Sequence, residues 1–205
     1  MNEQEYLNQI SASVRPTSVP KQKSGILSSP FFKVGVIGLI ALVLIMIVGT
    51  VLSSGGTDGK SRAIALVLHL DNTAEVISEY QSSVKSSDLR SSVASMYSVL
   101  SNTSRDITSY LEENYGYRGS ASSELTNQAD LERDGLEADL FEAKINGTLD
   151  RIFAHKMEYE ITIIYSEEQS LYKSTNNSEL KSALESSMGS LETLYDKFNS
   201  FSEAK

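Results

Sequence analysis

Two histidines, His69 and His155, are the whole imidazole supply of this 205-residue chain, and it has no cysteine. Disulfides, thiolate nucleophiles, thiolate-bound zinc and a lipid-modified cysteine anchor are therefore excluded. A carboxylate-bridged di-iron site in a helical bundle needs two Glu-x-x-His motifs, because positions i and i+3 share a helix face. Leu66 and Ile152 stand three residues before the histidines, so neither motif exists. His155 has Glu158 beside it, and Asp71 and Glu75 lie near His69, but acids are common throughout this region. Both histidines are expected at the surface or its boundary. Glu160, Glu167 and Glu168 fall close to an apolar helix arc; burying unpaired carboxylates is costly, so they are expected at its edge or paired with Lys156 or Lys173. Gly55 to Lys60 lacks the spacing of a phosphate loop, and no serine shares a nucleophile-elbow context with a histidine. The expectation is a non-enzyme with no catalytic, cofactor-binding or metal-ligating residue.

The elements that would position such groups are helical. Beyond Pro30 the chain has no proline, so helices can run long. Val67, Leu70, Ala74, Ile77, Gln81 and Val84 form one stripe at three-and-four spacing. Leu89, Val93, Met96, Leu100, Thr103, Ile107 and Tyr110 form a second. Ser86-Ser87-Asp88 between them offers N-cap oxygens. The run Tyr115 to Ser120, with Gly116 and Gly119, interrupts the helix. A shorter amphipathic piece follows, carrying Leu125, Leu131, Leu136, Leu140, Phe141 and Ile145 and ending at Asn146-Gly147. A long helix from a Thr148 cap to Lys173 buries Leu149, Ile152, Phe153, Met157, Ile161, Ile164 and Leu171. After a turn and cap at Thr175 to Ser178, the last helix presents Leu180, Leu184, Met188, Leu191, Leu194, Tyr195 and Phe198. One-faced helices must cover one another, and short links make neighbours antiparallel. The predicted fold is all-α: a four-helix bundle over 62–205, with a longer connection between its second and third helices.

Ahead of it, Val34 to Leu52 is a run of nineteen residues without a charge. As a helix it would span about 28 Å, close to the roughly 30 Å hydrocarbon core of a bilayer. Arg15, Lys21, Lys23 and Lys33 precede the run, against Lys60 and Arg62 after it. That bias orients the N-terminus to the cytoplasm. The run is too long and starts too late for the core of a cleaved secretory signal. The expected organisation is a cytoplasmic tail over 1–30, a transmembrane helix over 31–53 with the lipid bilayer as partner of residues 34–52, a linker over 54–61, and an extracytoplasmic bundle. The cell membrane, single-pass, is the expected location.

Leu149-Asp150-Arg151, Phe153, Met157, then Ser178-Glu179-Leu180-Lys181 and Leu191, make a run that resembles a bacterial ferritin-like four-helix family of uncharacterised, mostly exported proteins. The resemblance covers about 63–200 and is best over 147–195. It implies an antiparallel ferritin-like bundle. Leu149 and Phe153 stand where that family has Phe and Tyr, and Ile161 and Leu194 stand where it holds histidines, so the family's imidazoles are replaced by hydrocarbon.

Charge narrows the partners. The whole chain carries −9, but residues 34–205 hold 14 bases and 25 acids, a balance of −11. Nucleic acid is disfavoured for want of basic patches, and the acidic surface suits a protein partner. Tyr110, Tyr115 and Tyr117 gather near the glycine loop, either as a partner's contact or as fillers of the bundle edge. The function expected is a membrane-anchored interaction or ligand-binding module. The alternative is a ferritin-like metal-binding or redox protein.

Overall fold

In the computed structural model, which describes residues 59–203, side-chain oxygens and left-handed glycines punctuate a chain of helices. The helices are α1 (Gly59–Tyr80), α2 (Ser87–Tyr115), α3 (Ser123–Ile145), α4 (Leu149–Ser174) and α5 (Ser178–Glu203), with a 3-10 turn (Gln81–Ser83) after α1. Among the described residues the fold is all-α. The proposed membrane run, Val34 to Leu52, lies outside them, and none of the described helices is long and apolar enough to cross a membrane.

The expected punctuation holds in most places. Ser86 Oγ accepts from the Leu89 N–H and Asn177 Oδ1 from the Leu180 N–H, capping α2 and α5. Gly116, at φ 61°, ends α2 in the left-handed conformation, and the Tyr117 N–H bonds the Leu111 carbonyl. Thr148 differs from expectation: it sits at the N-cap of α4, but its side chain makes no cap bond there. Asp150, in the first turn, instead accepts from the backbone N–H groups of Lys85 and Ser86, tying the α1–α2 link to the start of α4. Gly59–Ser61, expected as the end of a linker, belongs to α1.

Among the described residues there are five helices: four that pack as a bundle, and the shorter amphipathic piece in the long connection, which is a 23-residue helix of its own. α1, α2, α5 and α4 contact one another in a ring, and α3 rests outside against α1 and α4. Cross-helix bonds give the directions. Lys85 and Ser86 meet Asp150 while His69 meets Glu160 and Glu167, so α1 and α4 are antiparallel. Tyr172–Glu185, Tyr165–Glu192 and Tyr195–Glu158 make α4 and α5 antiparallel. Asn72–Ala129 and Tyr80–Glu137 make α1 and α3 parallel. With α1 antiparallel to α2 across their short link, α2 and α4 point the same way, so the chain must return the length of the bundle between them. At 1.5 Å per residue, the 23 residues of α3 cover about 34 Å of that return.

The core runs through all five helices, with Leu70, Met96, Leu140, Phe153, Met157, Leu184 and Phe198 fully buried. α3 divides its apolar residues rather than gathering them on one face. Ala129, Leu136, Leu140 and Ala143 are buried, whereas Leu131, Phe141 and Ile145 are exposed. Truncating Phe153 to alanine is expected to lower unfolding stability by about 3–5 kcal/mol, and Leu131→Ala to change it by less than about 0.5 kcal/mol, measured by urea unfolding.

Candidate functional site: a histidine held between two carboxylates

His69 belongs to the middle of α1, and helical spacing turns it toward α4 rather than toward α2. Glu160 and Glu167, seven residues apart, share one face of α4 and meet it there. The His69 Nδ1 lies 2.8 Å from Glu167 Oε2, and Nε2 lies 3.0 Å from Glu160 Oε2. The side chains of His69 and Glu160 are 10% and 13% exposed, and that of Glu167 is 37% exposed. Burial alone would lower the imidazole pKa. Two hydrogen bonds to carboxylates and their charges outweigh it and push the value up to about 10. His69 is therefore an imidazolium at neutral pH, donating from both nitrogens.

The expectation of a surface or boundary His69 is corrected: the ring is buried, because two acids on another helix neutralise it. The expected lysine partners for the glutamates are corrected as well. Lys156 pairs with Asp139 across to α3, and Lys173 donates to Gln169 on its own helix. His155 is at the surface, its side chain 70% exposed and its Nδ1 3.7 Å from Glu158. Asp71 accepts from Ser104 at 2.6 Å, and Glu75 lies 3.7 Å from Arg133. Ile161 and Leu194 are buried hydrocarbon.

Glu168 overturns its expected place at the edge of the stripe. It is fully buried, faces α5 and α2, and accepts from Ser187 Oγ at 2.7 Å; Ser187 in turn lies 2.9 Å from the Thr103 hydroxyl. Its Oε2 is buried with no hydrogen-bond partner. Burial raises the carboxyl pKa to about 8, against the Ser187 bond and with help from the Glu167 charge. Glu168 is thus mostly a neutral acid at pH 7, because burial and the adjacent Glu167 charge outweigh the Ser187 hydroxyl bond that favours the carboxylate.

The tyrosines near the glycine loop divide between burial and exposure: Tyr117 is buried, Tyr110 is half-buried and Tyr115 is exposed. Burial with the Asp71 charge raises the Tyr117 pKa. Tyr110 and Tyr115 meet edge to face at 5.8 Å, with Lys60 over the Tyr115 ring at 5.9 Å.

Chemically, this cluster holds helices together. A metal at His69 would have to displace a proton from a nitrogen already bonded to a carboxylate. Glu160 and Glu167 occupy opposite ring nitrogens, so they cannot share one ion with the same imidazole edge. Among the described residues there is no group of three or more acid, histidine or cysteine side chains arranged to hold a metal ion. No protein-family model matches the chain, and neither a curated protein nor a solved structure matches it. The seven-residue spacing of Glu160 and Glu167 was visible in the sequence, but nothing in it linked them to a histidine 91 and 98 positions away.

Two pH responses follow. His69 gains protons on folding, so its stabilisation is complete below about pH 6.5 and is lost as pH rises through about 10. Glu168 also holds its proton longer when folded, so stability falls from about pH 4.5 to about 8 and then levels. Urea midpoints for Glu168→Gln should match the parent near pH 5 and exceed it at pH 9. His69→Gln should cost about 3 kcal/mol at pH 7, at the low end for a broken buried pair because Glu167 keeps water contact.

Proposed function

We propose that this chain is a non-enzymatic, single-pass membrane protein that displays an acidic helical bundle outside the cytoplasm for interaction with another protein. The observation that carries the display reading is the uncharged run Val34 to Leu52, flanked by four bases before it and two after it. Two features of the bundle support the interaction reading. The buried histidine spends both ring nitrogens on Glu160 and Glu167, leaving no free lone pair for acid–base or ligand work. The charge of −11 over residues 34–205 keeps the bundle away from anionic lipid and nucleic acid. The up-down-down-up order with a crossover between the second and third ring helices is compatible with a ferritin-like relationship, which we hold as part of this proposal.

Protease added to intact cells, with any outer barrier opened, should remove the C-terminal bundle and leave the N-terminal tail protected; a protected bundle overturns the topology. The rival metal-handling reading predicts stoichiometric ferrous ion uptake by the purified chain, lost in His69→Ala. The bundle described above should instead show no uptake that depends on His69, read by iron titration calorimetry.

A further inference from the structure

The outer face of α3 is apolar without serving the fold. Leu131, Ala138, Phe141 and Ile145 follow heptad spacing, with Asp134 at the remaining position of the seam. Leu131 is 74%, Phe141 57% and Ile145 69% exposed. Residues at i, i+3, i+4 and i+7 frame the hole that receives a knob from a facing helix. Leu131, Asp134, Gly135 and Ala138 frame one such hole, and Ala138, Phe141, Glu142 and Ile145 frame the next.

Gly135 sets this face apart from scattered surface hydrocarbon. A glycine inside a helix costs about 1 kcal/mol relative to alanine. A Cβ built at Gly135 meets nothing within 4 Å among the described residues, as is also true of Gly189 within α5, so no close approach among those residues calls for the glycine. Its bare backbone forms the floor of the first hole and admits a bulky side chain from outside.

Charge selects the occupant. α3 carries seven acids and two bases; Arg133 donates to Asp134 on its own helix and reaches Glu75 on α1, and Lys144 is turned back onto the bundle. Arg133 also lies near Asp130, and Lys144 lies over the Tyr80 ring. The seam is therefore framed by carboxylates at Glu142 and at Asp134, the latter shared with Arg133, with Glu124 and Glu132 beside it and Asp139 already paired with Lys156. A second copy of the same face would set acid against acid, and an anionic bilayer would be repelled. We propose that the outer face of α3 docks a basic amphipathic helix of a partner protein, with large apolar knobs seated over Gly135 and between Phe141 and Ile145, and lysine or arginine against the flanking acids. This rests on the interaction reading above and names the partner's chemistry.

The full chain in nanodiscs, titrated with a fluorescent 21-residue model helix bearing leucine at its seam and lysine beside it, tests the proposal. Binding should fall at least tenfold in Gly135→Leu, which fills the first hole while raising helix propensity. Its melting temperature should be unchanged or higher, so loss of binding cannot be loss of fold. Asp134→Lys/Glu142→Lys should lose binding similarly, and Glu112→Lys/Glu113→Lys on α2 should not. Equal binding by all variants, preference for the glutamate version of the peptide, or no binding by the parent overturns the proposal. So does a dimer of the parent chain that Phe141→Ser dissociates, which would assign the face to a second copy. Protease accessibility of the bundle is read separately, so a docking failure leaves the display topology standing and a topology failure leaves docking testable.

Discussion

The fold depends on covering α1. Its buried residues, from Ala63 through Tyr80, take up about two-thirds of the helix circumference at 100° per residue, far more than the usual one-sided stripe. One neighbour cannot bury such an arc. α2, α4 and α3 all pack on it, α4 meeting His69 and α3 meeting Asn72 and Tyr80. The fifth helix is thus more than a connection: it closes the last open flank of the most apolar described helix.

Once α1 is enclosed, its one histidine must be accommodated inside. An imidazole there would be costly alone, and α4 supplies two carboxylates whose combined pull exceeds the burial penalty. The same helix sends Glu168 the other way, into the ring between α2 and α5, where two hydroxyls soften but do not remove the cost. Adjacent residues on one helix therefore reach opposite electrostatic outcomes. Glu167 is partly wet and charged against a cation, and Glu168 is dry and mostly neutral beside serine and threonine. Both arrangements fix which helix lies beside which, a form of specificity that apolar packing alone supplies weakly.

Much of this was legible in the residues. The helix of Leu89 through Tyr110, the glycine stop at Gly116, the caps at Ser86 and Asn177, and the apolar arcs of α4 and α5 follow from spacing and local chemistry that act within a few residues. α3 was legible as amphipathic but not as two-faced, because its apolar residues alternate between facing the bundle and facing water and blur any single stripe. His69 was misplaced for a related reason: the stripe of Val67, Leu70, Ala74 and Ile77 marks one buried face and is silent about a second.

The sequence by itself determined that the described chain is helical, roughly where each helix begins and ends, that thiol chemistry is absent and that residues 34–205 are acidic, since all of these depend on composition or on contacts a few positions apart. Only the tertiary structure decided that the helix in the long connection lies on α1 and α4, that Glu160 and Glu167 neutralise a histidine more than ninety residues away, and that Glu168 is buried beside Ser187. Those outcomes turn on which helix faces lie opposite one another. The geometry of five helices packed together sets that, and local periodicity does not encode it.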